Sequence, residues 1–268
     1  MADPFLTYPM LERAGRLGNQ LWEIAGTIGL ARRHGYEPLF PPDWSYRPFF
    51  SLPSEMFGKE EGTPASSLAT HMGLDERQYL QDWNLFSDVE AEVKRVFDPS
   101  GEALASLDQQ WEFNKLPRPV LSVHVRRGDN VFDPYVRDKH LYMPMAPVGY
   151  YLEAIADLRP EASSVACFSD DIEWCRENIP ADYYHEGIGR PKDGFPEYWS
   201  ARILDWIDLF LMTQCQFHVL SRSSYAWWGA WLSGDPSPNW SSPWYGPALA
   251  HIDTSLMFPP GWREWPCF

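Results

Sequence analysis

Two adjacent arginines close an alternating apolar run in this chain: residues 122–130 read SVHVRRGDN. A guanidinium pair at the mouth of a buried strand is costly unless something neutralises it. The planar donors of Arg126 and Arg127 fit a pyrophosphate or a carboxylate best. The competing use is an internal ion pair, with Asp129 a near partner. His124 is either a satisfied core histidine or a donor to a ligand ring.

Three other clusters follow apolar runs in the same way: GRLGNQ at 15–20, FSDD at 168–171 and SRSSYAWW at 221–228. In the first, Gly15 and Gly18 let the backbone turn tightly or approach a ligand, and Asn19 precedes a helix whose N-terminal N–H groups suit an anion. In FSDD, Asp170 and Glu173 have capping-box spacing, which uses one carboxylate. The other, from Asp170 or Asp171, is available to the N–H groups of a purine. The two aspartates lack DxD spacing and a supporting histidine, so no metal is expected. Ser223 and Ser224 either cap a helix or bind phosphate oxygens, and one serine can do each job.

These clusters need elements to hold them. Leu21, Ile24, Ala25, Ile28 and Ala31 recur at helical spacing and Gly35 stands where that helix would stop. An apolar stretch at 4–11 precedes it, giving strand, glycine loop and helix. The text from 36 to about 115 is irregular, with strands expected near YEPLF and QYLQDW and a helix from Ser87 to Phe97. Beyond it, strands at 119–125, 164–170 and 216–221 alternate with helices at 146–159, 171–178, 198–215 and 223–233. Such alternation implies a parallel sheet covered on both faces, with ligands beyond the carboxyl ends of its strands.

Composition limits the chemistry. A formal net charge of −15 repels polyanions, so nucleic acid is not an expected partner. It leaves room for one small phosphate ligand held by local arginines. The 14 Trp, 13 Tyr and 15 Phe are mostly expected in the core, although aromatic faces also stack on sugar rings. No leader or apolar run near 18 residues is visible, so neither secretion nor membrane insertion is expected and a cytoplasmic location is. Cys167, Cys175, Cys215 and Cys267 have no short metal spacing and read as reduced thiols. Asn239-Trp240-Ser241 spells a glycosylation sequon, which means little without a leader.

With the four clusters in view, the sequence resembles the α-1,2-fucosyltransferases of glycosyltransferase family 11. The likeness lies in GRLGNQLWEIA, VHVRRGD, FSDDIEWCREN and DLFLMTQCQFHVLSRSSYAWWGAWL, in the family's order. It implies an α/β fold of GT-B type: two Rossmann-like parallel-sheet domains facing a cleft. These are expected at 1–115, on the acceptor side, and 116–268, holding GDP-fucose. Carried over by position, Arg126 and Arg127 face the pyrophosphate, Ser223 and Ser224 its oxygens, and His124 with Asp170 or Asp171 the guanine. Asn19, beside Gly18, lies near the β-phosphate or the fucose. The family commonly has Tyr after Arg-Arg-Gly-Asp and Asn before the paired serines, where this chain has Asn130 and Arg222.

The resemblance implies inverting, metal-independent transfer of L-fucose from GDP-fucose to the 2-hydroxyl of a terminal β-galactoside, with no cofactor. Arg126 and Asn19 then serve the leaving group. Asp129 is the first candidate for the base, Asp133 the second, and Asp129 has the alternative role of orienting an arginine. The rival readings are a different acceptor or linkage and a non-catalytic glycan-binding protein.

Overall fold

A computed structural model of the chain describes residues 5–13, 15–58, 63–65, 79–128, 131, 145–185, 205–234, 239–244, 251 and 253–265. The chain forms two compact units, one of residues 1–105 with 255–259 and the other of 106–254 with 260–268.

The first unit is built on a three-stranded parallel sheet. β1 (Phe5–Thr7) lies between β2 (Glu37–Leu39) and β3 (Thr63–Pro64). Helix α1 (Leu17–His34) buries Leu21, Ile24, Ala25 and Ile28 completely, as the apolar spacing requires. It stops at Gly35, whose φ of 72° lets its N–H turn back to the carbonyls of Ala31 and Arg32. It begins a turn earlier than the apolar repeat suggests, so Gly18 and Asn19 are already helical. The stretch expected as a strand at QYLQDW is instead a turn, with φ of 49° at Tyr79 and 55° at Leu80. Residues 80–86 lie directly on α1, and Gly29 is what permits it: a Cβ there would stand 2.0 Å from the Leu85 carbonyl oxygen. Helix α2 (Glu90–Val96) falls inside the expected span and presents Glu92 to Arg32 at 2.8 Å.

Helix α3 (Gly101–Leu107) carries the chain across the boundary between the units. Residues 106–115 were grouped with the N-terminal half on sequence grounds, but they belong to the second unit. Phe113, on the short helix α4 (Trp111–Asn114), packs edge-on to Phe168 and Tyr183 there.

The second unit holds six parallel strands. They are β4 (Val120–Val125), β5 (Ser164–Ser169), β6 (Tyr183–His185), β7 (Phe217–Leu220), β8 (Trp240–Ser241) and β9 (Arg263–Glu264). Their spatial order is β6-β5-β4-β7-β8-β9. The sheet therefore runs one way from β4 to β6 and reverses to run from β7 to β9. That is the doubly wound pattern, with its topological switch between β4 and β7. All six residues of β4 and of β5 are buried, the polar Ser122, His124, Ser164 and Ser169 included, as expected for central strands covered on both faces.

Side chains alternate across this sheet. Leu121, Val123, Val125, Val165, Cys167, Phe217 and Val219 pack with α5 (Val148–Leu158) and α6 (Ile172–Asn178) on one face. Leu220 packs with Ala226 and Ala230 of α8 (Ser224–Leu232) on the other. Helix α7 (Asp205–Thr213) packs against α8, and the remainder of its expected span, 198–204, lies outside the described residues. β6, β8 and β9 escaped the sequence because they are two or three residues long. Asn239 is 1% exposed beside β8, so the sequon is not presented by the folded chain.

One group in the first unit strains against its surroundings. Glu23 on α1 is 0% exposed, and neither carboxylate oxygen has a partner among the described residues. Burial pushes its pKa up to about 9, so the folded chain keeps a proton that the unfolded chain releases. The folded pKa lies above the unfolded one, so stability falls as pH rises from the ordinary carboxylate range towards 9. Glu23→Gln removes this dependence. Denaturant titration should show it more stable than the parent by about 3 kcal/mol at pH 7 and nearly equal at pH 4. Parallel pH profiles for the two proteins would contradict this.

Candidate active site

The switch point gathers most of the chemistry-bearing side chains. His124 pairs in register with Leu220 across the switch and with Phe168 on its other side, and Phe168 pairs with His185. His124 is 6% exposed, and its Nδ1 lies 2.8 Å from the Ser221 hydroxyl just past β7. The Tyr151 hydroxyl shares that serine, and burial leads the causes that raise the tyrosine's pKa far above its ordinary value. The Tyr225 ring of α8 lies 5.8 Å from the imidazole. The crevice between β4 and β7 is thus floored by a hydroxyl–imidazole–aromatic network.

The arginines are held by the neighbouring strand. Arg126 Nη1 forms an ion pair with Asp170 Oδ2. The Arg127 backbone N–H donates to Asp170 Oδ1 at 2.8 Å, and Arg127 Nε donates to Asp171 Oδ2 at 2.8 Å. The Arg127 guanidinium lies 4.1 Å over the Trp174 ring. Burial pushes the Asp170 carboxyl up, but the Arg126 charge and the N–H groups of Arg127 and Gly128 outweigh it and leave it below the ordinary carboxylate range. Gly128 has no room for a side chain, since a Cβ would stand 2.5 Å from Asp170 Oδ2.

Asp170 and Asp171, expected to face the guanine, are the ion-pair partners of Arg126 and Arg127. Asp171 also caps α6, accepting from the Trp174 N–H at 3.3 Å, while its own N–H donates to Ser169 Oγ at 2.9 Å. Arg127 turns to the α5–α6 face, away from the face His124 occupies. Ser223 is the cap of α8, accepting from the Ala226 N–H at 3.4 Å, and Ser224 begins the helix, half-buried. Asp129, Asn130 and Asp133 lie outside the described residues.

Asn19 and Gly18 belong to the first unit. Asn19 Oδ1 accepts from Gln81 Nε2 at 3.0 Å. The loop demands glycine at Gly15. Its φ is 72°, and a Cβ there would meet the Asn19 side chain at 2.5 Å.

Ser221 was overlooked inside a motif already singled out; its place one residue beyond a buried strand was the available signal. A second omission is His185, whose Nε2 lies 2.9 Å from Asp208 Oδ1 and whose Nδ1 lies 2.9 Å from the Tyr183 hydroxyl. Both residues of the pair are buried. A lone aspartate inside the apolar helix WIDLFLM was the signal for Asp208.

Comparison with known proteins places this geometry. The model of the family described as Glycosyl transferase family 11 matches residues 30–240. The chain belongs to this family. It is 27% identical over 189 residues to an α-1,2-colitosyltransferase of Escherichia coli, covering 69% of this chain and 60% of the relative. It is 27% identical over 245 residues to the galactoside α-(1,2)-fucosyltransferase 1 of Homo sapiens, covering 82% of this chain and 64% of the relative. The chain thus spans less than two thirds of the length of these relatives. Among solved structures it matches the NodZ α-1,6-fucosyltransferase co-crystallised with GDP at a TM-score of 0.57 and 13% identity, over 86% of this chain and 92% of that one. A GDP complex of an Arabidopsis thaliana FUT1 mutant matches at 0.52 and 11%, over 89% and 70%. At these identities the likeness is one of fold, the GT-B-like α/β class expected from the sequence.

Asp170 offers a pH signature opposite to that of Glu23. Its folded pKa is depressed, so its contribution is present above the ordinary carboxylate range and lost as pH falls through the folded value. Asp170→Asn should cost about 3 kcal/mol at pH 7, the low end for a paired charge losing its partner because both side chains keep some solvent contact. The loss should shrink at pH 3. Denaturation curves at the two pH values check this, and an equal loss at both would contradict it.

Proposed function

We propose that this family 11 chain is a metal-independent, inverting α-1,2-fucosyltransferase using GDP-fucose as donor and a terminal β-galactoside as acceptor. The observation that carries the reading is the Arg126–Asp170 pair beside the His124–Ser221 bridge, at the switch point of a doubly wound sheet. Ligands of such sheets bind there. The names of the relatives from Escherichia coli and Homo sapiens support the α-1,2 linkage, and the human relative's name supports the galactoside.

In the reaction, the galactoside 2-hydroxyl oxygen bonds to the anomeric carbon as that carbon's bond to the β-phosphate oxygen breaks. GDP departs with the bonding electrons and the hydroxyl proton passes to a base, for which Asp129 remains the candidate. Negative charge grows on the β-phosphate. Arg126, the α8 N-terminus and the Ser223–Ser224 hydroxyls are the groups of this chain suited to stabilise it. Arg126 acts from a neutralised pair, already oriented by Asp170, so little reorganisation accompanies the charge shift. Asn19 is proposed to serve the same end of the donor. His124, with Asp170 or Asp171, is proposed to face the guanine.

The test is transfer from GDP-fucose to a panel of β-galactosides, with product mass and linkage read by mass spectrometry and NMR. An α-1,2-linked product is expected; another linkage or hydrolysis alone would overturn the reading. Arg126→Ala should lower the rate by about 10²–10³ while the protein stays folded. A variant retaining more than about a tenth of the rate would contradict the role given to that donor. EDTA should leave the rate unchanged, and loss of activity restored by Mg²⁺ would end the metal-independent reading.

A further inference from the structure

Arg127 is only partly used by the fold. Its Nε is bound to Asp171 and its plane rests on Trp174, but its two terminal nitrogens have no partner among the described residues. The guanidinium borders a cavity of about 270 Å³ on the α5–α6 face, lined among the described residues by Val125, Pro147, Val148, Trp174 and Asn178, among others. Asn178 Nδ2 donates to the Trp174 carbonyl at 2.8 Å, which leaves its Oδ1 as an acceptor. The cavity therefore combines a forked cationic donor, one amide acceptor and an apolar wall.

A carboxylate answers the fork in two parallel hydrogen bonds, a hydroxyl answers the amide oxygen, and a C–H-rich ring face answers Val125 and Pro147. The volume falls just below the usual range for drug-sized ligands, so a single ring fits better than a chain of them. From this geometry we infer that the Arg127 cavity is a second ligand site that takes an acidic monosaccharide of the hexuronate class. It lies on the opposite face of the sheet from His124. The site goes beyond the transferase reading and stands or falls separately from it.

The test titrates the intact protein with galacturonate, galactose and galactose 6-phosphate, followed by ligand-observed NMR, with and without saturating GDP. Galacturonate should bind about tenfold or more tightly than galactose, as a charged hydrogen-bonded pair warrants. GDP should not displace it. Val148 is 38% exposed at the first position of α5, at the rim, so Val148→Trp should fill the cavity and abolish galacturonate binding while GDP affinity and thermal stability stay unchanged. Asn178→Leu, a smaller change within the same cavity, should weaken galacturonate several-fold. Equal binding of galactose, displacement by GDP, tighter binding of the sugar phosphate, or galacturonate binding indifferent to both variants would each overturn the assignment.

Discussion

The double ion pair between the ends of β4 and β5 is the constraint on which the rest of the second unit depends. Two adjacent arginines leave one strand, two adjacent aspartates leave its neighbour, and the pairing closes them charge for charge. Each half fixes something further. Asp170 gathers the Arg127 and Gly128 N–H groups, which bends the chain sharply and excludes a side chain at Gly128. Asp171 starts α6 and so sets Trp174 beneath Arg127. Arg126 is thus no bare cation awaiting an anion, while Arg127 is held through its Nε alone.

That neutrality changes how the site must work. In a chain of net charge −15, a strand-end cation pair compensated by two carboxylates contributes direction more than net attraction. Under the proposed function, discrimination then rests on oriented neutral donors: the His124–Ser221 network and the α8 N-terminus. Such donors are already aligned before a ligand arrives, which is the condition under which they act most strongly on developing charge. The two extreme carboxylates of the chain make the same point from opposite sides. Asp170 is charged because partners surround it, whereas Glu23 keeps its proton because nothing does.

Much of this was legible in the sequence. The apolar runs ending in polar clusters marked β4, β5 and β7, and the helical spacing marked α1, α5 and α6 to within a turn. The parallel sheet followed from their alternation. What escaped was whatever depended on contacts distant in sequence. The partners of Arg126 and Arg127 stand 44 positions away, while Asp129 was adjacent and therefore the natural guess. The turn at Tyr79 and Leu80 reads as a strand until α1 is seen to press on it through Gly26. Which of Ser223 and Ser224 caps α8 was left open by the letters, and in the fold it is Ser223. The His185–Asp208 pair joins a strand too short to recognise with a helix whose apolar character masks the buried Asp208.

The central claim is that a guanosine diphosphate ligand seats at the β4–β7 switch point, between Arg126 and the α8 N-terminus. Amide hydrogen exchange of the intact protein with and without saturating GDP tests it most directly. The account predicts that protection rises in peptides covering 124–128 and 221–226 and changes little in those covering 90–107. Protection that bypasses both switch-point segments at saturating GDP would contradict it.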